Sequence, residues 1–261
     1  MRFAVVGHVE WVEFVRVPAV PPAGQIVQGE HGVQEPAGGG GVIARQVARL
    51  AGRCEFFTAL GDDELGRRSE RRLAEIGLDV HVQRFGETRR AWVHVDATGE
   101  RTITLLSEKL RPRGPLPLEG YDAVFFVSGD AEALRSARRA PFVAATAREL
   151  PTLTEAGVPL DLLVGSARDA GEQYDGSLDV RTVVLTEGPH GGTADGERYD
   201  AAPLPGPIVD TYGAGDSFSA ALFFALARGD RLRDALSLAT RAGAAVISGE
   251  GPYSTQLTLE A

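Results

Sequence analysis

The sequence predicts an α/β fold: a doubly wound, mainly parallel sheet flanked by helices, with a small β-sheet lid. Three observations carry this. Short uninterrupted apolar runs such as "FAVVG" (residues 3–7) and "DAVFFVSG" (122–129) have the composition of strands buried on both faces of a parallel sheet. Helical patterns lie between most of them, the alternation expected of a doubly wound domain. Two stretches, about 9–36 and 88–107, break the alternation with β-type segments and no helix.

In chain order, "FAVVG" is the first strand. The excursion that follows contains β-type stretches and prolines and ends in "GGGG" at residues 38–41. "GVIARQVARLAG" is a helix that stops near Gly52, since glycine commonly closes a helix. "EFFTALG" is a strand, and "DELGRRSERRLAEIGL" is a helix with Leu65, Leu73 and Ile76 on or near one face. In "RRAWVHVDATGERTITLLS", Val93 and Val95 alternate with polar residues, as do Ile103 and Leu105, and "DATGE" supplies a hairpin turn. Both excursions read as antiparallel strands outside the main sheet. "RPRGPLPLEG" is a loop leading back to that sheet. "DAVFFVSG", "PFVAAT", "DLLVGS" and "RTVVLTEG" are further strands. With no internal repeat and no interdomain linker, residues 1–261 read as a single domain.

Composition narrows the function classes. With 43% hydrophobic and 24% charged residues the chain is an ordinary globular protein, long enough to enclose a substantial core. A single cysteine, Cys54, excludes an intramolecular disulfide and a cysteine metal cluster. No apolar run approaches the roughly 20 residues of a bilayer span. "MRFAVVGHVEW" reaches a glutamate too early for a signal peptide, so the expected location is the cytoplasm, with no membrane partner. The net charge is −9, and the densest basic cluster, "RRSERRL", is broken by Glu70 and reads as a solvated helix face. Neither feature suits nucleic-acid binding.

The chemistry concentrates in "VDTYGAGDSFSAAL", residues 209–222. Gly213, Ala214 and Gly215 stand directly ahead of Asp216, and a helical apolar pattern follows through Phe218, Ala221, Leu222, Ala225 and Leu226. A helix start exposes unpaired N–H groups and carries about half a positive charge, and small residues let a phosphate approach them. These amides can form an anion hole for a transferring phosphoryl group, while Asp216 accepts the proton of an attacking hydroxyl. Taken alone, the pattern is better read as a plain helix cap with a tight turn, because such helix starts are common. Asp210 adds a second carboxylate able to organise the loop or coordinate a cation.

"DTYGAGDSF" resembles the signature D-T-x-G-A-G-D of the ribokinase-like, or PfkB, carbohydrate kinases, with every fixed position present between Asp210 and Asp216. The resemblance runs along nearly the whole chain. "PAGGGGVIARQVARLAG" is similar to the family's N-terminal glycine motif, which packs against the sugar and implies Gly38, Gly39 and Gly40 at the substrate. "ALGDDELGRRSERRLAEIGLDV" resembles the G-x-D-x-x-G segment, and "TRRAWVHVDATGERTITL" the lid hairpin with its Gly-Glu-Arg-Thr turn. "VVLTEGPHGG" resembles the loop near the nucleotide, implying roles for Thr186, Glu187, Gly188 and Gly192. The resemblance further implies Asp216 as catalytic base, ATP as donor and Mg²⁺ as helper. A homodimer through the lid belongs to the same implication, and the C-terminal "SGEGPYST" is a candidate for closing the adenine pocket or binding a monovalent cation.

The sequence departs from the family mainly at the sugar end. Val42 or Ile43, by register, stands where the family has a substrate-contacting asparagine. Val12 stands near the position of the usual substrate aspartate, which leaves Glu10, with Glu13 the alternative, to hold sugar hydroxyls. The family's N-x-x-E segment is "SARD" here, with Ser166 replacing the amide and Asp169 keeping a carboxylate near the metal, beside Asp210. Arg89 and Arg90, at the start of a lid strand, are candidates for an anionic substrate group, and Arg90 is taken as the contact. Trp11 and Trp92 lie one in each lid segment, either packing together or lining the sugar face, and His8 follows the first strand. "GGGG" follows a loop rather than the first strand and lacks an acidic ribose partner, which argues against a nicotinamide site; Walker A and protein-kinase motifs are absent. The expected activity is transfer of the ATP γ-phosphate to a hydroxyl of a small sugar or polyol. The alternatives are a nucleoside or other non-sugar kinase of the same fold and a non-catalytic ligand-binding regulator.

Overall fold

A computed structural model describes residues 1–259. In chain order its strands and helices are β1 (Phe3–Val6), β2 (Glu10–Arg16), β3 (Glu30–Ala37), α1 (Gly39–Ala51), β4 (Glu55–Leu60), α2 (Glu64–Glu75), β5 (Asp79–Arg84), β6 (Arg90–Val95) and β7 (Arg101–Leu106). They continue with β8 (Ala123–Phe126), α3 (Ala131–Ala137), β9 (Phe142–Thr146), α4 (Leu150–Ala156), β10 (Leu162–Ser166), β11 (Val183–Thr186), β12 (Gly192–Ala194), β13 (Glu197–Tyr199), α5 (Ala214–Ala227) and α6 (Leu232–Val246).

The main sheet has nine strands in the order β13-β12-β11-β10-β9-β8-β1-β4-β5. From β5 to β11 every pairing is parallel, and β12 and β13 add an antiparallel edge. The central strands β1 and β8 are buried at every residue because helices cover both faces. Phe3, Val5 and Phe125 pack with α1, α5 and α6 on one side; Ala4, Val6 and Phe126 pack with α3 and α4 on the other. Gly52 ends α1 in left-handed backbone, as its position in the sequence predicts.

The second sheet has the order β3-β2-β6-β7 and draws its strands from the two predicted excursions. The expectation of antiparallel pairing holds within each excursion, but the two join through a parallel pair, β2 with β6. The reason is topological: α1, β4, α2 and β5 lie between these strands, a long crossover of the kind that parallel neighbours require. Val12, Phe14, Ala91 and Val93 form one face of this sheet and pack with Val42 and Tyr212.

The "GDDELG" segment, residues 61–66, fixes where the second excursion begins. Asp63 caps α2 by accepting the Gly66 N–H (2.7 Å) and also accepts the N–H (2.7 Å) and hydroxyl (2.6 Å) of Thr88. At the other end of α1 the backbone is jammed against the sheet. A Cβ on Gly40 would stand 2.5 Å from the His8 carbonyl oxygen and 2.8 Å from the Gly7 carbonyl carbon.

That contact sets a test. Gly40→Ala is expected to cost about 3 kcal/mol, the upper range of overpacking, because backbone must move. Gly52→Ala, where φ is +82° and no atom lies within 4 Å, is expected to cost about 1 kcal/mol, the left-handed penalty alone. Urea unfolding of the two variants distinguishes these costs, and equal losses would refute the close-packing account.

Candidate active site

The start of α1 lies against the residues that follow β1, Gly7 and His8, at the carboxyl edge where parallel α/β sheets bind ligands. Gly213 caps α5 with φ at 81°, a left-handed backbone that glycine adopts without steric cost. Asp216 lies in the first turn of α5. A Cβ on Gly39 would stand 3.0 Å from Asp216 Oδ1, so the two helix starts meet at this carboxylate. Gly215 is exposed, and a Cβ there would meet nothing within 4 Å; the mouth of α5 is open.

Asp216 keeps partial solvent access but is embedded in protein. Lost hydration pushes its carboxyl up to about 6; the charges of Glu172 and Glu10 add to the rise, while Arg101 and Arg148 oppose it.

Asp210 is buried, with Oδ1 accepting the Tyr212 N–H (2.9 Å) and Oδ2 the Gly251 N–H (3.1 Å). It therefore ties the turn before α5 to the C-terminal loop, and both oxygens are occupied by backbone. Tyr212, at the variable position of the signature, is buried edge-on against Phe14, and its hydroxyl accepts the Gly38 N–H at 3.0 Å. Tyr253 of the C-terminal loop donates to the Pro36 carbonyl at 2.6 Å. The β6–β7 turn docks on the same place. Thr211 donates its N–H to the Gly99 carbonyl (3.0 Å) and its hydroxyl to Glu100 (3.0 Å), and accepts from Arg101 (3.2 Å).

At the substrate end, Gly38 lies against His8 and Glu10: a Cβ there would be 3.2 Å from the His8 ring and 3.4 Å from Glu10 Cγ. Gly38, Gly39 and Gly40 thus line the junction between β1 and Asp216. Glu10 is buried beside Arg89 at 3.4 Å. Arg90, expected at the substrate, is paired instead with Glu13 at 2.6 Å. Strand alternation accounts for this: Ala91 and Val93 point into the core, Arg90 and Trp92 the opposite way. Val12, Val42 and Ile43 are fully or almost fully buried core residues. Trp11 is buried under the Arg68 guanidinium, while Trp92 is exposed on the other excursion.

At the expected nucleotide end, Ser166 and Thr186 are paired neighbours on β10 and β11, and the Thr186 hydroxyl donates to the Gly165 carbonyl. Gly188 begins a short turn with φ at 64°, and Glu187 pairs with Arg198 at 2.7 Å. Gly192 is buried in β12, where a Cβ would strike the Leu185 carbonyl and the Tyr199 ring. Asp169 accepts the Gly171 N–H (2.8 Å) and pairs with Arg148. Glu172 accepts the Ser166 N–H (2.8 Å) and pairs with the same arginine at 2.9 Å. Among the described residues no group of three or more His, Cys, Asp or Glu side chains is placed to hold a metal ion, and no helix is long and apolar enough to cross a membrane.

Sequence reasoning missed Glu172, Arg148 and Tyr212. Glu172 lies three residues beyond the "SARD" segment, and it, rather than Asp169, is among the charges acting on Asp216. Arg101 was visible only as part of the Gly-Glu-Arg-Thr turn.

The family described as pfkB family carbohydrate kinase matches residues 2–135 and 128–259, and the chain belongs to it. It is 27% identical to the aminoimidazole riboside kinase of Salmonella typhimurium, over 85% of this chain and 86% of the relative. It is 29% identical to the ATP-dependent ribose-1-phosphate kinase of Halopiger xanaduensis, over 97% and 94%. A ribokinase structure from Thermotoga maritima shares the fold, with a TM-score of 0.80 at 21% identity, covering 99% of this chain and 96% of that one.

The raised Asp216 yields a pH test. The native state holds this proton more tightly than the unfolded chain between about pH 4 and 6, so Asp216 detracts from stability increasingly as pH rises through that window. Asp216→Asn removes the penalty. The variant's stability relative to the parent should rise between about pH 4 and 6 and level off above; a flat difference in denaturant unfolding across that range would contradict the raised value.

Proposed function

We propose that the protein transfers the γ-phosphate of ATP to a hydroxyl of a small sugar, with Asp216 as general base. The observation that carries this is the contact between Asp216 and Gly39 at the open start of α5. The acceptor hydroxyl, seated along residues 38–40, gives its proton to Asp216 as its oxygen attacks the γ-phosphorus. The bond to the bridging oxygen breaks, leaving ADP and a phosphate monoester. The amides of Gly213, Ala214 and Gly215 take up charge on the phosphoryl oxygens, aided by the dipole of α5. Arg101 and Arg148 add positive charge to the region of Asp216. Such catalysis is mainly positioning plus electrostatics.

The residues fit a magnesium ion that arrives with the nucleotide. Asp169 and Glu172, already engaged by Arg148, would hold it through water, and it would neutralise phosphate charge. Ser166, Thr186, Glu187 and Gly188, grouped at the ends of β10 and β11, would receive the nucleotide. The small sheet, docked through Thr211, would act as the lid that excludes water.

The test is ADP release screened against sugars and nucleosides. Asp216→Asn should lower acceptor-dependent release by about 100-fold or more, the scale of a general base, while nucleotide still binds. The parent's kcat/KM should fall below about pH 6, as the base becomes protonated. Turnover unchanged in the variant would remove Asp216 from this role, and turnover of nucleosides alone would move the acceptor to that class.

A further inference from the structure

Three cations, Arg89, Lys109 and Arg111, gather beside Glu10 and Glu149, in a chain whose net charge is −9. Arg89 is nine-tenths buried, and its Nε lies 3.4 Å from Glu10 yet makes no hydrogen bond. Its backbone is held on both sides: Asp63 clamps the preceding Thr88, and the Arg89 carbonyl accepts the Trp11 N–H at 2.8 Å. Lys109 and Arg111, in the segment after β7, reach the buried carboxylate of Glu149, at 2.9 and 3.5 Å, at the carboxyl end of β9. All three cations act on His8, the ring against Gly38; burial together with their charge holds it well below the usual histidine range and therefore neutral. His8 Nδ1 is itself buried without a partner. Three cations thus face two carboxylates, Glu10 and Glu149, and burial shifts Glu10 toward its neutral form.

We propose that the acceptor carries an anionic group, a phosphate monoester or a carboxylate, received by Arg89, Lys109 and Arg111 beside Gly38. This rests on the kinase reading above for the hydroxyl that is phosphorylated, but the anion site stands on its own geometry. A fixed, buried guanidinium with an unused donor is suited to a forked contact with such a group. The neighbouring Gly38 and His8 leave the hydroxyl-bearing end of the molecule directed toward Gly39 and Asp216.

The experiment compares ADP release and calorimetric binding for ribose and fructose with those for ribose 1-phosphate, fructose 1-phosphate and gluconate, using inorganic phosphate as a minimal probe. The anionic acceptors should exceed the neutral ones by about 100-fold in kcat/KM, with the phosphate and carboxylate arms showing which anion is taken. Arg89→Met and the half-exposed Arg111→Gln should each raise KM for the anionic acceptor by about 10- to 100-fold, the scale of one charge-assisted hydrogen bond, with a small change in kcat. Arg89→Lys should recover part of the loss. Equal or greater kcat/KM with the neutral sugars, or no anion binding by the parent, overturns the proposal. Anion binding that depends on Arg89 and Arg111 without any ADP release would uphold the site and defeat the kinase reading instead.

Discussion

Everything at this site depends on how closely two helix starts approach the end of one central strand. α1 can begin where it does because Gly40 lies on the Gly7 and His8 backbone with no room for a side chain. Only then does Gly39 reach Asp216, so that the starts of α1 and α5 share a boundary. The glycine run and the glycine-bearing turn of α5 are far apart in sequence, yet they act as a single steric device. The first allows the approach, and the second leaves an open helix mouth at the point of contact.

Two carboxylates that invite a chemical reading serve chiefly to hold backbone. Asp210 accepts two N–H groups and joins the turn before α5 to the C-terminal loop. Asp63 caps α2 and fixes Thr88, which sets the position of Arg89. Asp216 differs from both: it has partial solvent access, and lost hydration is the main cause of its raised carboxyl. The contrast is physical: a carboxylate satisfied by amides is committed to structure, whereas one raised by lost hydration is poised to take a proton near neutrality.

Most of the main sheet was legible because buried parallel strands write themselves as apolar runs, and β8, β9, β10 and β11 all lie in such runs. The start of α5 was legible because small residues beside an aspartate suit a helix start, and the resemblance pointed to its place in the family signature. Pairing partners were not legible. Nothing in "RRAWV" states that Arg89 turns inward and Arg90 outward; that follows from strand alternation and from Glu10 and Glu13 on the neighbouring strand. The parallel union of β2 and β6 follows from the path of the chain between them. Arg148 and Glu172 meet across two loops at the ends of β9 and β10, a proximity that sequence spacing does not record.

The docking of the β6–β7 turn on Thr211 bears on movement. Thr211 is one residue from Asp210 and two from Gly213, and it bonds the hairpin tip through both its backbone and its hydroxyl. The hairpin tip and the turn before α5 are thereby tied together. If the small sheet swings aside to admit an acceptor, either these bonds part or the helix mouth tilts with it. In either case the bonds couple the position of the small sheet to the alignment of the turn that opens α5.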